Sequence, residues 1–121
     1  LNDRVIQINQ VDFKDLPAIY QAATIFIYPS KFEGFGIPII EAMYCDVPVI
    51  CSNITSLPET IGNQEFIFDP NSVENIAKKI ELLWINENYR NASILNNQKQ
   101  QRRLIETNAE KMILSIYNKL V

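Results

Sequence analysis

Two carboxylates, Glu33 and Glu41, stand with seven residues between them, and the loop they bracket holds Gly34 and Gly36, two of the chain's three glycines. Pro38 follows at once, in a place where proline marks the first turn of a helix. A helix start carries unpaired N–H groups and a partial positive charge, which together suit an anionic group such as a phosphate. The N–H groups of Phe35, Gly36 and Ile37 can donate to phosphate oxygens or hydroxyls, and the two glycines allow the backbone to come close to a ligand and take φ angles that other residues avoid. Glu41, about one turn into the helix, would repel a phosphate but can accept two hydrogen bonds from a vicinal diol. A ribose beside a diphosphate meets both demands. Glu33 can accept the hydroxyls of a second sugar. These residues therefore read as a sugar-nucleotide site. The plainer alternatives are a solvent-facing helix carboxylate for Glu41 and, for Glu33, a loop carboxylate favoured by the helix dipole alone.

The elements that must position these groups can be read from the hydrophobic pattern. Thr24 to Tyr28 (T-I-F-I-Y) and Val47 to Cys51 (V-P-V-I-C) are near-continuous apolar runs, expected as parallel strands buried on both faces, with Pro48 at the first position of the second. Arg4 to Gln10 is β-prone and expected as a further strand. Asp15 and Pro17 start a helix with Leu16, Ile19, Tyr20 and Ala23 on one face. Ser56 and Glu59 have capping-box spacing, favoured here over a catalytic role for Glu59, and open a short helix ended by Gly62. Glu65 to Asp69 reads as a short strand, and Asn71 with Glu74 as a second capping box, opening a helix that sets Ile76, Ala77, Ile80, Leu83 and Trp84 on one face. Glu87 to Arg103 is polar and expected on the surface. Ile105, Ala109, Met112, Ile113, Ile116, Tyr117 and Leu120 mark a last amphipathic helix. Alternation of this kind predicts an α/β fold, a Rossmann-like parallel sheet with flanking helices ending in three helices. Ligands in such sheets bind beyond the carboxyl ends of the strands, and the Glu33 to Gly36 loop lies on that rim.

The stretch Tyr28 to Pro48 resembles the E-x7-E signature of retaining glycosyltransferase family 4 (group 1), enzymes of the GT-B fold. The pattern P-S-x-x-E-G-F-G-[LI]-P-x-x-E-A-M is met at Pro29, Ser30, Glu33, Gly34, Phe35, Gly36, Ile37, Pro38, Glu41, Ala42 and Met43, and continues at Pro48 and Val49. Asp46 stands where the family has Gly; Asp tolerates the left-handed helix end that this position requires. Ser56-Leu57-Pro58-Glu59 with Gly62 extends the likeness. Asn9-Gln10-Val11 with Leu16 is a looser match to a loop near the nucleotide base, with Asn for Gly, and Ile105 replaces a usual Trp. The resemblance implies that Glu33, Gly34, Phe35 and Gly36 contact the donor sugar, that Glu41 binds the ribose, that Ile37 and Pro38 lie nearest the diphosphate, and that Val11 lies near the base. It implies no metal and no cofactor beyond the nucleotide-sugar substrate. It makes Glu33 the candidate catalytic residue. A carboxylate nucleophile is one route to retention; attack on the face the phosphate leaves is what the family implies, and the residues alone do not choose between them.

The same resemblance places residues 1–121 as the later part of a C-terminal nucleotide-sugar-binding domain. The N-terminal acceptor domain, which would bind a saccharide or glycolipid, is absent, and the fragment is expected to be inactive alone. The opening L-N-D-R, without Met, agrees with a fragment. The expected products are polysaccharide or lipopolysaccharide, and the expected place is the cytoplasm, with peripheral association at the inner face of the membrane open to the full-length enzyme.

Composition bounds the rest. The chain has 121 residues, 47 % hydrophobic and 21 % charged, with net charge -3, as expected for one globular domain. No basic run supports nucleic-acid binding; Lys99 to Arg103 reads as a solvated helix face. There is no histidine, the commonest general base and zinc ligand. Cys45 and Cys51 read as buried, reduced and structural. The Asn53 and Asn91 sequons arise readily by chance in an Asn-rich chain. The rival readings are a non-catalytic Rossmann-like nucleotide-binding or interaction module and another sugar-nucleotide enzyme such as an epimerase. A receiver-like domain is disfavoured, because its central strand should end in an aspartate.

Overall fold

The structure, a computed structural model, describes residues 2–106. Three strands, β1 (Phe26–Tyr28), β2 (Val49–Ser52) and β3 (Ile67–Phe68), lie in that order and all in parallel. Five α-helices accompany them: α1 (Leu16–Ala22), α2 (Ile37–Tyr44), α3 (Leu57–Ile61), α4 (Val73–Ile85) and α5 (Glu87–Glu106). Helices α2 and α3 are the crossovers that parallel neighbours require. Phe26 pairs with Val49 and Tyr28 with Cys51, while Ser52 pairs with Phe68. The parallel α/β architecture is thus as the alternating pattern predicts.

The core lies where β2 meets its helices. Every residue of β2 is buried, as are Ile39, Ala42 and Met43 of α2, Leu57 and Ile61 of α3, Phe66, Phe68 and Leu83. Each such large side chain contributes about 1.5–3 kcal/mol relative to exposure. β1, expected to be buried on both faces, is only half-buried, because among the described residues it pairs with β2 alone.

Arg4 to Gln10 does not form the expected strand. A 3-10 turn covers Asn2–Arg4, and residues from Val5 to Gln10 are exposed without regular structure. β propensity works only where a neighbouring strand meets the backbone groups and a surface receives alternate side chains. Here Gln7 Nε2 donates to Asn9 Oδ1 (3.0 Å) instead.

Two caps differ from expectation. Ser72, not Asn71, caps α4, its hydroxyl accepting from the Asn75 N–H at 3.1 Å. Ser56 stands at the start of α3 with helical angles and makes no capping bond, and Asp15 makes none either. Trp84, placed on the apolar face of α4, is exposed. Asp46 does take the left-handed turn, with φ 55°. Asp46→Gly is expected to stabilise the fold by about 0.5–1 kcal/mol, since glycine occupies that region without a Cβ penalty; a denaturation midpoint no higher than wild type would refute it.

Helix α5 departs most from the sequence reading. It runs unbroken through the boundary expected near Arg103, and the residues of the last amphipathic stretch beyond Glu106 lie outside the described residues. Most of its charged residues are exposed as expected, but one polar stripe is buried rather than solvated. Ser93, Asn96, Asn97 and Gln100 are buried and, with half-buried Gln101, recur at helical spacing along one stripe. Asn96 Nδ2 donates to Ile61 O (2.8 Å), Asn97 Nδ2 to Val47 O (2.7 Å) and Gln101 Nε2 to Met43 O (2.6 Å). Ser93 Oγ accepts from the Val49 N–H at 3.0 Å. The amides thus meet the carbonyls of Ile61 at the end of α3 and Val47 in the turn before β2, and add a second donor to Met43 O, which also accepts from the Asp46 N–H.

Candidate functional site

The chain leaves β1 at Tyr28 and passes through Pro29 to Phe35 before α2 begins, so the loop sits at the carboxyl end of the sheet. Gly36 precedes α2 with φ 78°. A Cβ there would lie 2.7 Å from Leu57 Cδ2 and 3.2 Å from Ile39 Cδ1, so both conformation and packing demand glycine. Gly34 differs from expectation: its φ is not positive and a Cβ there would meet open space. Its smallness instead leaves the loop accessible. Among the described residues, no acceptor meets the N–H of Gly36 or Ile37, and Pro38, in the first turn, has none to satisfy.

Two hydroxyls from α3 hold this loop from behind. Ser56 Oγ donates to Gly34 O (2.7 Å) and Thr60 Oγ1 to Phe35 O (2.8 Å). The Ser56 hydroxyl is thus turned toward the loop rather than toward the N–H groups of α3. Glu59, read as its capping partner, is 3.7 Å from Arg103 in an exposed ion pair. Tying back the carbonyls of Gly34 and Phe35 keeps them off a ligand that approaches the following N–H groups. The sequence offered one signal of this, two hydroxyls one helical turn apart.

Each acid is held by a tyrosine. Tyr28 OH donates to Glu33 Oε2 at 2.6 Å, and the Gly34 N–H donates to Glu33 Oε1 at 3.1 Å. The Tyr28 bond first, then the Gly34 and Phe35 N–H groups, hold the Glu33 carboxyl below the usual carboxylate range. The folded chain therefore binds that proton less readily than the unfolded chain. Its support for folding is present above the ordinary carboxylate pKa and fades as pH falls through the lowered value. The Tyr28 phenol is pushed up by the same bond and by burial. Tyr20 OH donates to Glu41 Oε2 at 2.8 Å, and burial, then Glu41, raises the Tyr20 phenol. Among the described residues Glu41 Oε1 accepts no hydrogen bond.

Two hollows adjoin these groups. The first, 250 Å³, lies between α1 and α2; its walls are Leu16, Tyr20, Ile40, Glu41 and Tyr44, with Phe13 at the edge. The second, 170 Å³, is lined by Phe35, Ser56, Thr60, Gln100 and Arg103 among others. Glu41 and Phe35 thus open onto different hollows, Glu33 lines neither, and half-buried Val11 is absent from both, while Phe13 lines the first. Half-buried Cys45 borders the first hollow, and burial pushes its thiol up. Cys51 is fully buried and pushed up to about 12, as fits an inert core thiol. Among the described residues no group of three or more His, Cys, Asp or Glu side chains could hold a metal ion, and no helix is long and apolar enough to cross a membrane.

Residues 1–111 match the family described as glycosyl transferases group 1. The chain is 40 % identical over 107 residues to the O-antigen chain mannosyltransferase B of Escherichia coli, covering 88 % of this chain and 28 % of that protein. It is 36 % identical over 101 residues to the capsular polysaccharide biosynthesis glycosyltransferase CapM of Staphylococcus aureus, covering 82 % of this chain and 26 % of that one. Among solved structures, a sucrose-phosphate synthase from Thermosynechococcus elongatus superposes with a TM-score of 0.81 at 30 % identity, over 98 % of this chain and 30 % of that chain. The chain therefore spans less than a third of the length of each of these relatives.

Proposed function

The chain belongs to the glycosyl transferases group 1 family, and from that premise we propose that it forms the donor side of an enzyme moving a sugar from a nucleotide-sugar to a saccharide or glycolipid acceptor, with retention. The observation that carries this reading is Glu41. One of its oxygens is held by Tyr20 while the other is open, at the wall of an apolar hollow a short way along α2 from the unpaired N–H groups of Gly36 and Ile37. A ribose diol on Oε1, a base in the hollow beside Phe13 and a diphosphate at the helix start would satisfy all three features.

Glu33, Gly34 and Phe35 then face the donor sugar. Glu33 has each oxygen engaged and its acidity strengthened. Such a carboxylate is a weak nucleophile and a poor proton donor, but each oxygen keeps a second acceptor position. That supports Glu33 as an acceptor for sugar hydroxyls, and so supports attack on the face the phosphate leaves rather than a covalent intermediate. No step is assigned to a metal ion. The acceptor site is proposed to lie in a region corresponding to the parts of the relatives that the chain does not match, so that residues 1–121 alone transfer no sugar. Two O-antigen relatives are named mannosyltransferases, which favours a mannose-bearing donor and an outer polysaccharide product made by an enzyme working at the cytoplasmic face of the membrane.

Calorimetry of the intact gene product against a panel of nucleoside diphosphate sugars tests this. One donor should bind, and Glu41→Ala should weaken it about 10- to 100-fold, as expected for charge-assisted hydrogen bonds of ~1.5–3 kcal/mol. Unchanged affinity in Glu41→Ala would rule out the ribose role, and a Glu33→Gln enzyme with full turnover would remove Glu33 from the chemistry.

A further inference from the structure

The two acids of the site are not independent. Tyr20 OH reaches Glu41 Oε2 from α1, and Tyr28 OH reaches Glu33 Oε2 from the end of β1. Both rings rest on the same neighbour. Tyr20 meets Phe26 edge-on, with ring centroids 5.4 Å apart at 64°, and Phe26 stacks with Tyr28 at 6.1 Å and 17°. Phe26 and Tyr28 are two apart on β1, so their side chains leave the sheet on the same face. Aromatic pairs in such geometries resist sliding past one another. A flexible glutamate has three rotatable bonds and would otherwise sample many orientations, a freedom lost on meeting a ligand.

The geometry points to Tyr20 and Tyr28 as a pair of positioning residues, mounted on Phe26, that orient Glu41 and Glu33 toward one donor molecule before it arrives. The Tyr20 ring lines the first hollow, but its hydroxyl is spent on Glu41 Oε2, and the Tyr28 hydroxyl is spent on Glu33 Oε2. Each hydroxyl uses one acceptor position and leaves its carboxylate able to accept more. The array also makes the separation between the ribose-binding and sugar-binding acids a property of one strand and one ring. This inference rests on the donor-site reading above and divides the labour within it: Tyr20 serves the nucleoside, Tyr28 the sugar.

That division gives a readout that general loosening would not imitate. The intact gene product is titrated with GDP-mannose and UDP-glucose, and with GDP and UDP, which lack the sugar. Tyr20→Phe should weaken sugar nucleotide and bare diphosphate alike, by about fivefold. Tyr28→Phe should weaken the sugar nucleotide to a similar degree, leave the bare diphosphate unchanged, and let the Glu33 carboxyl titrate nearer its ordinary value by carbon-detected NMR. Phe26→Leu should weaken both classes. Equal losses for both ligand classes in Tyr28→Phe, or affinities within about twofold of wild type in both tyrosine variants, overturn the inference. Glu33→Gln and Glu41→Gln run alongside. If they weaken donor binding while the tyrosine variants do not, the positioning role alone falls; if they too are silent, the donor site falls and takes this inference with it.

Discussion

Gly36→Ala is expected to destabilise the protein by about 2–5 kcal/mol and to abolish donor binding together. Two costs add. A non-glycine residue at positive φ costs about 1–2 kcal/mol, and Gly36 sits at φ 78°. The new methyl would also stand 2.7 Å from Leu57 Cδ2 and 3.2 Å from Ile39 Cδ1, both fully buried, and forcing extra volume into a packed core costs about 1–3 kcal/mol. Both methyls are side-chain ends, but both side chains are fully buried, so turning them aside presses on the core. Further relief comes from shifting α3, which holds the loop through Ser56 and Thr60, or the start of α2. Either movement re-aims the N–H groups of Gly36 and Ile37. Gly34→Ala is the contrast: its Cβ would meet nothing within 4 Å and its φ is ordinary, so its unfolding midpoint should stay near wild type. Urea unfolding of the two variants side by side decides the matter, and equal midpoints would refute it.

The second large effect is expected at Asn97. Its side chain is fully buried, donates to Val47 O at 2.7 Å, and has an Oδ1 with no partner among the described residues. Asn97→Asp removes the donor and places an ionisable group beside a carbonyl in the core, which should cost on the order of 3–5 kcal/mol or force the new carboxyl to stay protonated. Asn97→Leu leaves Val47 O unpaired, a loss of about 1–3 kcal/mol, but also removes the unsatisfied Oδ1, so the net cost should be smaller. The order Asp worse than Leu, read from thermal midpoints near neutral pH, is the test; the Asp variant should recover part of its loss as pH falls and the carboxyl protonates. An Asp variant as stable as wild type would show that water reaches the site.

That polar stripe shows where reading the chain alone runs out. β2 and the start of α2 are legible because apolar runs, Pro38 and the glycines act through nearest neighbours in sequence. Asp46 is legible because a left-handed helix end makes a local demand. Ser93, Asn96, Asn97, Gln100 and Gln101 follow the period of a buried face, yet their chemistry says solvent, and only the three-dimensional meeting with Met43, Val47 and Ile61 makes burial affordable. Ser56 illustrates the same limit from the other side. Its spacing to Glu59 is that of a cap, but its hydroxyl is turned across the loop to donate to the Gly34 carbonyl. Arg4 to Gln10 has the composition of a strand and lacks a partner. At the site, Glu33, Glu41 and Gly36 could be picked out by type and order; Tyr20 could not, since a hydrogen bond spanning 21 residues to Glu41 leaves no mark in local spacing.

The amides of α5 also narrow the ways this chain can vary. Along a helix that packs through oil, Leu, Ile and Met trade places at small cost, because contact has no direction. On α5, Asn96, Asn97 and Gln101 must each deliver one N–H to one oxygen, so length counts as much as polarity. An Asn to Gln exchange, mild on any chemical scale, would carry the donor one methylene past its mark. Drift along this helix is thereby confined to a smaller alphabet than its hydrophilic composition suggests.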